Sequence, residues 1–89
     1  MHTVRCTVES VTGNCAAGYR VGDSFLLKDA FMIEAVQPKT LCLHALAAMS
    51  TYLTAYARRT DPADWINFKK ELQCPDNDNA VIFRLERLP

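Results

Sequence analysis

Four cysteines and two histidines supply the soft-metal and thiol chemistry open to this chain, and three of the cysteines stand in turns or at a helix start. Cys15 lies in Thr12-Gly13-Asn14-Cys15-Ala16-Ala17-Gly18, where two glycines and an asparagine provide the positive-φ backbone of a turn. A thiol in such a loop can be faced by free backbone N–H groups, which is how ligand cysteines are often presented. Cys42 opens the stretch Thr40-Leu41-Cys42-Leu43-His44, just after Pro38. There the free N–H groups and positive end of a helix would favour a thiolate. Cys74 begins Cys74-Pro75-Asp76-Asn77-Asp78-Asn79, a turn in which proline removes a donor and stiffens the loop beside the sulfur.

The three thiols stand about thirty residues apart and form no C-x-x-C pair, which excludes the zinc-ribbon and ferredoxin spacings. Thiolates would select zinc, or iron with sulfide. With His44 as a fourth ligand, Cys15, Cys42 and Cys74 match a closed structural zinc site. Without it, they leave an open coordination position, as in a site-differentiated iron–sulfur cluster. In a regular helix positions i and i+2 point to different sides, so Cys42 and His44 share an ion only if the first turn is irregular. The alternative is that the cysteines are small core residues, as free cysteine commonly is.

One long helix and a set of strands must position these groups. Thr40 reads as an N-cap, and from Leu41 to Tyr56 the chain is rich in Ala and Leu without Gly or Pro. Cys42, Leu46, Met49, Leu53 and Tyr56 recur at helical spacing as one apolar stripe, and Arg58 and Arg59 suit the negative helix end. Val4, Cys6 and Val8 alternate with polar residues as a strand with one buried face, which makes Cys6 core filler. Tyr19 to Leu27 reads as extended with a break at Gly22-Asp23, and Phe31 to Val36 as a further strand. Asp61, Pro62 and Asp64 announce a short second helix with Trp65, Phe68 and Leu72 on its core side. Val81, Phe83 and Leu85 alternate in a final strand expected beside the first. If the end strands pair, the three cysteine-bearing segments meet at one end of the sheet.

The 89 residues suit a single domain, and 49% hydrophobic composition suits a folded one. A formal charge of zero gives no electrostatic argument for nucleic acid or a membrane surface. The first residues lack the apolar core of a signal peptide, and the Ala-rich helix is too short and polar to span a bilayer. A cytoplasmic location is expected, where cysteines more often bind metals, act as nucleophiles or lie buried than form disulfides.

The block Gly13-x-Cys15-x-x-Gly18-x-x-Val21-Gly22-Asp23, then Leu41-Cys42-Leu43-His44, then Cys74-Pro75-Asp76 before a closing strand, resembles a family of small prokaryotic proteins of about this length that is functionally uncharacterised. The three blocks come in order and span nearly the whole chain. Members of that family typically carry a cysteine at the positions of Cys15, Cys42 and Cys74. The resemblance implies a three-cysteine site and leaves Cys6 outside it. It implies no reaction, substrate or cofactor.

The expected fold is α+β, with three or four mostly antiparallel strands packed on one long and one short helix. The expected function is a small cytoplasmic metal- or iron–sulfur-binding protein, an accessory or electron-transfer module beside a larger protein partner. Its ligands are Cys15, Cys42 and Cys74, with His44 as a candidate fourth, and its cofactor is zinc or an iron–sulfur cluster. Two alternatives stay open. One is an interaction module with buried structural cysteines, the other a thiol-based redox enzyme or sensor using Cys42.

Overall fold

The computed structural model describes residues 1–89. Its frame is one antiparallel sheet of five strands: β1 (Thr3–Val11), β2 (Ser24–Lys28), β3 (Met32–Gln37), β4 (Glu71–Gln73) and β5 (Val81–Leu88). Their order is β3-β2-β1-β5-β4, so the first and last strands lie side by side at the centre. One helix, α1 (Leu43–Ala57), packs against β1 and β4. A single 3₁₀ turn (Trp65–Phe68) follows it.

The period-two pattern does its work in β1 and β5. Val4, Cys6 and Val8 are buried, as are Val81, Phe83 and Leu85, and the register sets Cys6 opposite Leu85 and Val8 opposite Phe83. Phe25 and Leu27 of β2 extend the same apolar face. Phe83 is fully buried, with Tyr19 and Phe25 meeting its ring edge-on at centroid distances of 5.5 and 5.8 Å. On the solvent side of the central pair, Arg5 and Glu86 form an ion pair at 3.5 Å. Both side chains are nearly half exposed, so the pair contributes less than about 1 kcal/mol and the apolar face decides the stability.

The structure corrects several expectations. There are five strands rather than three or four. The additional one, β4, is three residues long and buries only Leu72, too short to show a period. The second helix is a 3₁₀ turn capped by Asp64, whose carboxylate accepts the Ile66 N–H at 3.0 Å. Asp61 instead accepts the Ala63 N–H one turn earlier. In 3₁₀ geometry residues three apart eclipse, so Trp65 and Phe68 share a side. That side faces solvent, leaving them 61% and 69% exposed, and Ile66 takes the core position. The main helix starts at Leu43, two residues later than expected. Its N-cap is Cys42, in extended backbone (φ −75°, ψ 118°), not Thr40. Its buried side is Ala45, Met49, Leu53, Tyr56 and Ala57, which drops Cys42 and Leu46 from the expected stripe. The extended stretch expected from Tyr19 begins as a strand only at Ser24, because Arg20 to Asp23 close a turn.

Two substitutions separate the core from the surface on this reading. Phe83→Ala is expected to lower unfolding free energy by about 3–5 kcal/mol in urea titrations. Trp65→Ala is expected to lower it by less than about 1 kcal/mol, a surface-sized effect.

Candidate functional site

Cys15, Cys42, His44 and Cys74 all line one cavity of about 430 Å³, at the end of the sheet where two loops meet the start of α1. Its walls are mostly apolar, with Ala16, Ala17, Ala45, Pro75 and Val81 among them, and Tyr19, Asp76 and Asn79 complete it. No three His, Cys, Asp or Glu side chains are drawn together closely enough to hold one ion. The cavity is an open, thiol-lined pocket rather than a closed cage.

Each thiol arrives by a different device. Cys15 opens a tight turn in which its carbonyl accepts the Gly18 N–H at 3.0 Å, with Gly18 at φ +78°. Cys74 sits directly after β4, where its N–H donates to the Val81 carbonyl at 3.0 Å. In return the Val81 N–H donates to the Cys74 sulfur at 3.2 Å. That N–H···S contact brings the positive end of a peptide dipole onto the sulfur, as cluster and metal thiolates receive it. Cys42 is the N-cap of α1, in the extended backbone usual at that position, and it lines the cavity together with His44 two residues on. His44 is exposed, while Cys15, Cys42 and Cys74 are half-buried against the core.

Three residues outside the expected ligand set hold the pocket's geometry. The Tyr19 hydroxyl accepts the Cys42 N–H at 2.9 Å, so the buried ring packed on Phe83 anchors the helix start to the sheet. Burial pushes the Tyr19 phenol above its usual range, with the neighbouring Cys42, Cys15 and Asp23 adding to the effect and the Cys42 hydrogen bond opposing it. Asn79 joins the loops of Cys15 and Cys74. Its amide oxygen accepts the Asn14 N–H at 2.8 Å, and the Thr12 N–H donates to the neighbouring Ala80 carbonyl at 2.8 Å. Asp76 braces the same loop by accepting the N–H groups of Asp78 and Asn79 at 2.9 and 3.0 Å. Those two donors hold its carboxyl below the usual carboxylate range. The Asp/Asn turn is solvated, as its sequence suggests, but it is also the clasp between two thiol loops. The available signal for that was local, since Asx residues in turns bond nearby N–H groups.

Cys6 stands apart, fully buried between β2 and β5. Burial pushes its thiol up to about 12 from an ordinary 9.0. Because the folded value is the higher one, this contribution to stability is complete below pH 9 and fades as pH climbs toward 12.

Two outcomes follow for experiment. Alkylation of native protein at pH 8 is expected to modify Cys15, Cys42 and Cys74 and to spare Cys6 until denaturant is added, as read by mass spectrometry. Gly13→Ala is expected to part the two thiol loops. Gly13 lies at φ +74°, and an added Cβ would stand 2.5 Å from the Asn79 amide oxygen and 2.7 Å from the Asp78 carbonyl. A melting curve is expected to show a loss of at least about 1–2 kcal/mol.

No family model, curated protein or solved structure matches this chain.

Proposed function

We propose that this protein holds a soft-metal centre in the three-thiol cavity, an iron–sulfur cluster in preference to a lone zinc ion. The observation that carries the reading is the convergence of Cys15, Cys42 and Cys74, from three segments far apart in sequence, on one apolar cavity. A zinc ion draws four donors to about 2.0–2.3 Å and leaves no room between them. The three thiols are not drawn into such a knot, and the cavity they line is about 430 Å³. In a [4Fe–4S] cluster each cysteine binds a different iron, so the thiols stand farther apart than the ligands of one zinc ion. The Val81 N–H on the Cys74 sulfur and the apolar lining are the kind of surroundings that tune a cluster's potential.

Three cysteines leave one iron without a thiolate, and His44 and Asp76 flank the cavity there as candidate partners. The cluster would supply one-electron chemistry. The protein's own residues would hold it, limit water and leave one side open to a partner. The role that fits is an electron-transfer or accessory module beside a larger protein, in the cytoplasm, where thiols stay reduced. A second reading has one observation in its favour: Cys15, Cys42 and Cys74 pack against the core, as structural cysteines in an interaction module would.

Protein purified without oxygen decides between them through its iron, zinc and acid-labile sulfide content and its visible spectrum. The expected result is iron with sulfide and a broad visible absorption that Cys15→Ser, Cys42→Ser or Cys74→Ser removes while Cys6→Ala keeps it. Zinc at one per chain without colour would replace the cluster by a structural ion. No metal in the protein, and none taken up on reconstitution with iron and sulfide, would overturn the proposal and leave the thiols to the core.

A further inference from the structure

The other end of α1 carries a second feature that the thiol site does not use. A groove of about 480 Å³ is lined by Arg58, Arg59, Arg87, His2, Thr60 and Asn67, with Phe68 at its side and no acidic side chain in its wall. The chain as a whole has formal net charge zero, so a wall bearing three guanidinium groups is a local concentration of positive charge. None of the three arginines is in a salt bridge, since the ion pairs in the molecule are Arg5–Glu86 and Lys28–Glu34.

Of the three arginines only Arg87 answers the negative end of the helix through a side-chain hydrogen bond. The Ala57 carbonyl already accepts the His2 N–H at 2.7 Å, and the Tyr56 carbonyl accepts the Arg87 Nε–H at 2.9 Å. Arg87 is fixed on three sides. Besides the Tyr56 carbonyl it donates to the Asn67 amide oxygen at 2.7 Å, and its guanidinium lies over the Tyr56 ring at 4.3 Å. The Asn67 oxygen is itself held by the Thr60 hydroxyl at 3.1 Å, and the Asn67 amide donates to the Asp61 carbonyl at 2.8 Å. A guanidinium has five N–H donors, and these contacts use two, so the rest are free on a pre-oriented fork. The positive field is also felt by His2, whose imidazole is held below its usual range by burial and then by Arg87 and Arg59.

We propose that this groove binds the phosphate group of a phosphorylated small molecule. A fixed guanidinium fork with two further arginines matches the geometry and charge of a phosphate's oxygens. Phe68, 69% exposed beside the fork, offers a flat apolar surface to the remainder of the ligand. The 15-residue helix spans about 22 Å, so this site and the thiol cavity lie beyond reach of direct contact with each other. The proposal therefore stands or falls independently of any metal in that cavity.

The test is titration of the full chain with inorganic pyrophosphate at physiological ionic strength, read by calorimetry and by amide shifts. At that salt, loose surface attraction is screened beyond about 8 Å. The expected result is saturable one-to-one binding, with shifts concentrated at His2, Thr60, Asn67 and Arg87. The exposed double variant Arg58→Ala/Arg59→Ala is expected to weaken it at least tenfold with an unchanged melting temperature. Arg5→Ala, on a separate part of the sheet, is expected to change nothing. Binding that never saturates, or that survives unchanged in the double variant, would overturn the proposal. So would tighter binding of a single-stranded oligonucleotide than of pyrophosphate, which would assign the surface to nucleic acid instead.

Discussion

The pairing of β1 with β5 is the constraint on which the rest of this fold depends. It joins strands from opposite ends of the sequence at the centre of the sheet and buries both of their apolar faces. Phe83 lies at the middle of that joint, and its edge-on contact with Tyr19 carries order out of the sheet. Tyr19 in turn accepts the Cys42 N–H, which fixes where α1 begins. The hairpin between β4 and β5 is closed by Cys74 and Val81 and clasped to the Cys15 loop through Asn79. The thiol cavity is what these links leave between them. It has no frame of its own, which is why Tyr19, Gly13 and Asn79 matter to it without bearing any metal chemistry.

Legibility in the sequence followed the physics of each segment. The alternation in Val4-Cys6-Val8 and Val81-Phe83-Leu85 is a long-range instruction written locally, because a half-buried strand has few other ways to look. From it came the adjacency of the end strands and the meeting of Cys15, Cys42 and Cys74 at one cavity. The second helix is shorter than expected because Asp61 and Pro62 are a strong start signal whatever length of helix follows. Asp64 then recaptured the chain into a 3₁₀ turn, and Trp65 and Phe68 faced outward together. Hydrophobicity alone does not tell a lid from an exposed ring. Strand β4 was invisible because three residues carry no period.

The site shows the same division. Residue types and turn chemistry marked the three thiols, but the bonds that position them run between partners far apart in sequence. Tyr19 to Cys42 and Asn79 to Asn14 are examples, and neither partner signals the other. The arginine groove was missed for a related reason. A net charge of zero conceals a local gathering of arginines, and Arg87 lies on β5, with a 3₁₀ turn and β4 between it and Arg58 and Arg59. Formal charge speaks to the average surface, while recognition depends on where the charges gather.

The central joint also sets a timetable for biosynthesis. On a ribosome β1 is made well before its main partner β5, so most of the sheet's long-range contacts wait until β5 has emerged. The wall formed by Cys74 and Val81 does not exist before that moment. The cavity between the three thiols is therefore complete only once β5 has joined the sheet.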